Sequence, residues 1–213
     1  MIISQKKDGP MSSERNITRF LNRKGINRDE LVTGKQVHGK EIAVIRKREE
    51  VSSLNECDGI MSLSKDLVPG VFVSDCLPIS FHLDGICGIL HVGWKGLAKG
   101  IIEESFRKIE RLGRDPKEAY FEIGPGIGAC HFEVREDLLS YFKNYNKRGE
   151  EEDFVQKRGV KTFFDLKGLA RKKMEDRGVR NIKVSSICTF CNKDYFSLRR
   201  EGEIINMLAL IRL

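Results

Sequence analysis

The chain has 213 residues, enough for one substantial core, and no stretch is long and polar enough to act as a linker, so a single domain over 1–213 is expected. Its net charge of +7 comes from basic residues interleaved with acids, as in IRKREE and KRGEEED, without an aromatic-interleaved basic stripe; this reads as a solvated surface and not a nucleic-acid interface, though a positive field would help gather an anion such as phosphate. No apolar run approaches a membrane span, the first residues lack signal-peptide order, and six cysteines are too sparse for a disulfide scaffold, so a soluble cytoplasmic protein with thiols or metal ligands is expected.

Residues 1–4 suit a short strand, and 5–12 read as a loop ending at Ser12 or Ser13, either of which can cap a helix with Ile17, Phe20 and Leu21 on one face up to Gly25. Residues 31–37 and 41–45 flank His38-Gly39-Lys40 and predict strand, turn, strand, with His38 on an exposed turn. Asn, Ser and Glu crowd 47–56, after which DGIMS at 58–62 resumes an extended run, its Asp58-Gly59 also readable as a turn.

The densest set of reactive side chains lies in 71–97, VFVSDCLPISFHLDGICGILHVGWKGL. Two runs of strand composition, 71–83 and 86–92, are separated by Asp84-Gly85, a strong two-residue hairpin signal. Counting outward from that turn places Leu83 opposite Ile86 and Pro78 opposite His91. Period-two alternation then puts Cys76, Pro78, Ser80 and His82 on one face with Cys87, Ile89 and His91. Cys76 and His91 become diagonal neighbours, within reach of a common ion. Two ligands do not make a site: Cys76 also reads as a small buried hydrophobe and His91 as a satisfied strand histidine. A second pair, His82 and Cys87, flanks the hairpin tip, which this reading leaves exposed.

After the hairpin, Leu97, Ile101, Ser105, Phe106, Ile109 and Leu112 predict one helix ending near Gly113, entered through the Gly93-Trp94-Lys95-Gly96 corner, where free backbone N–H groups favour an anion. Trp94 reads equally as packing or as a stacking surface. Residues 119–123 predict a strand running into the loop Gly124-Pro125-Gly126-Ile127-Gly128, a structural turn or a wall that lets backbone approach a ligand. Cys130 and His131 are adjacent, and neighbours in a strand point opposite ways, so they are not expected to share an ion. Val134, Leu138, Leu139 and Phe142 mark another helix, 146–160 a charged connection, and Asp165 the cap of a third helix with Leu166, Leu169, Ala170 and Met174 inward. Residues 182–187 predict a strand delivering Cys188-Thr189-Phe190-Cys191, half of a zinc ribbon with no second Cys pair, read as two thiols in a loop at a pocket rim. Of Arg199 and Arg200, one suits phosphate and the other an ion pair; residues 204–213 suit a central strand. Strands outnumber helices and are often hairpin-linked. The expected fold class is an α/β (α+β) layered sandwich of mixed β-sheets flanked by helices.

KQVHG, SDCLP, HVGWKG, EIGPGIGACHFEV and CTFCNKDYFSLRREG, in that order, resemble the signature segments of the YfiH, or laccase-domain, family, over nearly the whole chain. The resemblance implies a metal triad of His38, Cys76 and His91 with a vacant fourth position, the pattern of a catalytic zinc site. It implies a zinc-dependent purine nucleoside enzyme that phosphorolyses adenosine, inosine, guanosine or methylthioadenosine and deaminates adenosine, with purine nucleosides and phosphate as its small-molecule partners. Lys95, Gly124, Gly126 and Arg199 are the candidates for the phosphate cradle. Three features depart from the family pattern: a short Gly-poor N-terminal arm, Lys95 in place of arginine, and Leu198 in place of tyrosine. Copper-dependent phenol oxidation, the family's older label, stays open, as do a non-enzymatic binding role and a nucleophilic Cys76 with His91 as base.

Overall fold

The structure, a computed structural model, describes residues 1–145 and 152–213. In chain order its main elements begin with β1 (Ile2–Ile3), α1 (Glu14–Arg23), β2 (Leu31–Val32), β3 (Ile42–Ile45) and β4 (Gly59–Ser62). The middle of the chain forms β5 (Val68–Val73), β6 (Leu77–Leu83), β7 (Ile86–Val92), α2 (Trp94–Lys99), α3 (Ile101–Arg111) and β8 (Tyr120–Ile123). Then follow β9 (Glu133–Val134), α4 (Glu136–Tyr145), β10 (Val155–Arg158), β11 (Lys161–Phe164), α5 (Leu166–Glu175), β12 (Ile182–Val184), α6 (Leu198–Glu201) and β13 (Met207–Leu210). Among the described residues the strands form a six-stranded mixed sheet, β12-β8-β6-β7-β4-β3, a four-stranded sheet, β1-β13-β5-β2, and a small antiparallel sheet, β10-β11-β9.

Alternation along the strands builds the layers. On β6, Leu77, Ile79, Phe81 and Leu83 face the helices and share a core with Ile101, Phe106 and Ile109 of α3 and Leu169 and Met174 of α5. Phe121 of β8 joins them, 5.3 Å from the Phe81 ring and 5.7 Å from that of Phe106. The opposite face of β7, through Cys87 and Ile89, packs on Val71, Val73, Met207 and Ala209 of the four-stranded sheet. That sheet's outer face, with Val68, Leu208 and Leu210, is covered by Ile17, Phe20 and Leu21 of α1. The order is helix, sheet, sheet, helices, so β6 and β7 are covered on both faces along most of their length; each fully buried Leu, Ile or Phe contributes about 1.5–3 kcal/mol.

The register expected from Asp84-Gly85 is the one observed, with Leu83 opposite Ile86 and Pro78 opposite His91. Asp165 caps α5 by accepting from Gly168 N at 2.9 Å, and the apolar C-terminal run forms β13 between β1 and β5. Several expectations need correction. The 31–37 and 41–45 runs do not form a hairpin: β2 pairs in parallel with β5 in one sheet and β3 in parallel with β4 in the other. The 71–83 run is two strands in different sheets, parted by Ser74-Asp75-Cys76. The single helix after the hairpin is α2 and α3, broken at Gly100, whose φ of 89° lies in the left-handed region. With only six residues, α2 offers no extended N-terminal anion site. Val134 belongs to β9, not to the helix that follows it. Of the connection expected over 146–160, 146–151 lie outside the described residues, and 155–158 pair as β10 with β11. Cys87 is fully buried between the sheets, where burial pushes its thiol up to about 12, while the exposed His82 lies against Tyr120. No helix among the described residues is long and apolar enough to cross a membrane.

Candidate metal centre

His38, Cys76 and His91 reach one point because the chain changes sheets twice in the same place. His38 lies on the crossing from β2 to β3 and Cys76 on the crossing from β5 to β6, each leaving the four-stranded sheet for the six-stranded one. His91 is the penultimate residue of β7, directly across from Pro78. Their donor atoms all lie within 4.8 Å of one another, with His38 Nε2 3.8 Å from Cys76 Sγ and the two imidazoles edge to face at 4.7 Å. A tetrahedral ion with bonds of about 2.0 Å to nitrogen and 2.3 Å to sulfur needs its donors about 3.5 Å apart, and the three residues fit that spacing.

The organiser of the triad is Asp58, a residue whose role the sequence did not disclose. It is fully buried, and its Oδ1 lies 2.7 Å from His91 Nδ1. Its carboxylate also accepts the backbone N–H groups of Val37, His38 and Gly39 at 3.1, 3.0 and 2.6 Å. One carboxylate therefore fixes the His38 turn and, through Nδ1, turns Nε2 of His91 towards the His38 and Cys76 donor atoms. The turn holds His38 at φ 56°, in the left-handed region that a non-glycine residue occupies only when its surroundings hold it there. Burial alone would raise the Asp58 pKa, but His91 and the N–H groups of the turn lower it.

The same electrostatics favour an ionised thiol. Burial works to raise Cys76, yet the His38 and His91 imidazoles bring it down to about 7; His91, which burial would lower, is raised to about 9 by Asp58 and Cys76. A thiolate and two imidazoles form a donor set suited to zinc or copper. Gly93 keeps the corner after β7 open, since a Cβ there would sit 2.8 Å from His38 Cδ2 and 3.1 Å from Cys76 Sγ. Gln36 pins the His38 crossing to β5, donating to Phe72 O at 2.8 Å and accepting from Phe72 N at 2.7 Å.

The triad opens on a cavity of about 280 Å³ whose walls include Phe72, Asp75, Leu198 and Asn206. A second cavity of about 430 Å³ is lined by Trp94, Phe132, Val134, Leu138 and Arg199. Lys95 is exposed with its ammonium 5.3 Å from the Trp94 ring, and Trp94 meets Tyr141 edge-on at 5.0 Å. Arg199 is exposed and donates Nη1 to Glu133 O at 2.8 Å, whereas Arg200 is structural, donating to Thr189 O and Phe190 O, both at 2.6 Å. Gly124 and Gly126 are buried, and the close approach they allow is to protein. A Cβ on Gly124 would lie 2.9 Å from Pro78 Cγ, and one on Gly126 would lie 2.6 Å from Leu77 Cδ2 and 3.2 Å from Asp75 O. Together with Ile127 N donating to Asp75 O at 2.9 Å, this loop buttresses the strand entrance that carries Cys76. Asp75 ties it to the C-terminal segments, accepting from Thr189 Oγ1, Ser197 Oγ and Arg199 N at 2.5, 3.1 and 2.9 Å.

The sequence profile of the family described as multi-copper polyphenol oxidoreductase laccase matches residues 3–213. A purine nucleoside phosphorylase of Deinococcus radiodurans is 28% identical over 99% of this chain and 81% of its own length, and the purine nucleoside phosphorylase YfiH of Escherichia coli is 30% identical over 83% and 71%. The crystal structure of the hypothetical protein YfiH of Bacillus licheniformis superposes with a TM-score of 0.85 at 27% identity, covering 93% of this chain and 80% of that one. With the layered fold reproduced and nearly every residue inside the match, this chain belongs to the YfiH, or laccase-domain, family.

Proposed function

We propose that the chain is a metal-dependent purine nucleoside phosphorylase whose centre is zinc held by His38, Cys76 and His91. The observation that carries this reading is the convergence of two imidazoles and a thiolate beside a cavity, with Asp58 behind them. The relatives named as purine nucleoside phosphorylases supply the substrate class. Zinc, when bound, would supply a Lewis acid and a fixed positive charge.

The chain's own residues would do the remaining work. Asp58 holds His91 in one tautomer and keeps the His38 turn in register, so the donor set is organised before substrate arrives. Phe72 and Leu198 give the 280 Å³ cavity apolar surface suited to a purine, and Asn206 gives it an amide able to read a ring edge. Phosphorolysis joins a phosphate oxygen to ribose C1′ as the bond to the base breaks, so phosphate must be held beside the sugar. Arg199, which lines the neighbouring 430 Å³ cavity, and the exposed Lys95 beside Trp94 are the cations we assign to it, Lys95 as a point charge and Arg199 as a planar fork. The buried Gly124 and Gly126 would act by holding Asp75 and Cys76 in place. Adenosine, inosine, guanosine and methylthioadenosine are the proposed substrates, with deamination of adenosine at C6 a second reaction of the same cavity.

The test is to incubate purified protein of known metal content with adenosine or inosine, with and without phosphate. Adenine or hypoxanthine together with ribose 1-phosphate, formed only with phosphate and lost in Cys76→Ala, is expected; inosine from adenosine reports deamination. Turnover of a phenol by copper-loaded protein alone, with no nucleoside consumed, would favour the older oxidase label. Nucleoside turnover that Cys76→Ala leaves intact would rule this centre out.

A further inference from the structure

A second donor cluster lies apart from the triad. Cys130, His131, Cys188 and Cys191 each offer one ligand atom, and all four atoms lie within 4.8 Å of one another. Cys191 Sγ is 3.6 Å from Cys130 Sγ and 3.2 Å from His131 Nδ1. Donors around a tetrahedral zinc bound by sulfur and nitrogen stand about 3.5–3.8 Å apart, so only small adjustments separate this cluster from a Cys3His shell. We propose that Cys130, His131, Cys188 and Cys191 bind a second, structural metal ion, of zinc type, that clamps the loop after β12 to the loop after β8.

Local structure corrects two expectations from the sequence. Cys130 and His131 do not lie in a strand, where they would point apart; they lie in a turn closed by His131 N and Phe132 N donating to Gly128 O, each at 3.0 Å. A turn lets neighbouring side chains converge. Cys188 and Cys191 are likewise not a bare pair, since their turn, closed by Asn192 N to Cys188 O at 2.9 Å, faces the first one. Each turn supplies two ligands, and the four-ligand count that CxxC alone could not reach is complete.

The surroundings suit an anionic thiolate shell. Gly128 N donates to Cys188 Sγ at 3.2 Å, and Arg200 holds the carbonyls of Thr189 and Phe190 between the two cysteines. His131 is stacked on Phe190 at 4.1 Å and 16°, which fixes its ring plane. Lys167 is buried and donates to Ser185 O and Ile187 O, just before Cys188, so a positive charge lies close to three thiolates and a dication whose sum is negative. Four protein ligands leave no vacant position, the pattern of a structural site. Its mechanical reach is visible: Thr189, between the ligands, donates to Asp75, the neighbour of Cys76.

The inference does not depend on the proposed activity and can fail separately from it. Full-length protein is purified under reducing conditions without chelator, and metal is counted by plasma mass spectrometry in wild type, Cys76→Ala, and the exposed-site variants Cys130→Ser and Cys191→Ser. Cys76→Ala should keep one zinc per chain, and X-ray absorption on it should show three sulfurs and one nitrogen. Cys130→Ser and Cys191→Ser should each lose that equivalent, and cobalt-substituted Cys76→Ala should carry a strong thiolate-to-cobalt absorption that adding Cys191→Ser removes. A Cys76→Ala protein without metal, an absorption edge fitted by two or fewer sulfurs, or a disulfide among the three cysteines under these conditions would overturn the proposal. If a serine variant does not fold, the metal count and sulfur shell of Cys76→Ala decide alone.

Discussion

The molecule carries two clusters of thiol and imidazole donors built in opposite ways. The His38, Cys76, His91 group has three donors drawn from two sheet crossings and a strand end, borders a cavity, and relies on a buried carboxylate for its order. The Cys130, His131, Cys188, Cys191 group has four donors from two facing turns and only a loop neighbourhood to organise. With an ion bound, three donors next to a cavity would leave a position open for substrate, whereas four donors between two loops would leave room only for holding them. Ligand count and surroundings, more than ligand type, distinguish chemistry from scaffolding.

The largest effect should separate the two groups outright. Cys76→Ala or His91→Ala should lower kcat/KM for nucleoside phosphorolysis on the order of a thousandfold, about 4 kcal/mol of transition-state stabilisation, while Cys191→Ser costs far less activity. Equal losses in both would erase the distinction. Next comes Asp58→Asn, which keeps the shape but accepts fewer of the three turn N–H groups and presents an amide to His91. A loss of about 10–100-fold in metal affinity or activity is expected, read by chelator competition, with cysteine-cluster metal unchanged.

A smaller effect, on stability, should mark the cysteine group. Thermal melting of Cys130→Ser or Cys191→Ser should fall, by about 2–4 °C for each kcal/mol lost in a chain of this size, and chelator should then shift the melt less than in wild type. Gly126→Ala probes the link between the groups, because its Cβ would meet Leu77 Cδ2 and Asp75 O. Overpacking of about 1–3 kcal/mol is expected in urea titration, with kcat falling further than KM rises as Cys76 shifts.

The smallest effect is electrostatic. Burial would raise the Glu201 pKa, but Lys6, the Ser197 N–H and Arg200 hold it below the usual glutamate value of about 4.3. A carboxylate depressed in the folded state adds stability above the unfolded value, and that stability is lost as pH falls through the folded one. Acid unfolding below about pH 4.3 should therefore be less steep in Glu201→Gln, without loss of either metal equivalent at neutral pH. A matching wild-type profile would mean that this pairing contributes nothing to the α6 region.

What the sequence determined was local. Asp84-Gly85 set the register of β6 and β7 to the residue, the Ser12-Ser13 pair and Asp165 marked where α1 and α5 begin, and the apolar stretch at the C-terminus announced β13. The family motifs singled out the three residues whose donor atoms converge in the first group. Tertiary structure alone decided which sheet each strand joined, because two apolar strands separated by a short polar link can pair with each other or with distant partners, and only the completed core selects. It alone gave Asp58 its task, since an aspartate before a glycine looks like any turn until the backbone of residues 37–39 folds over it. It also assembled the second group, whose two turns lie about sixty residues apart in the chain and meet only because β8 and β12 pair in parallel and deliver both loops to the same end of the sheet.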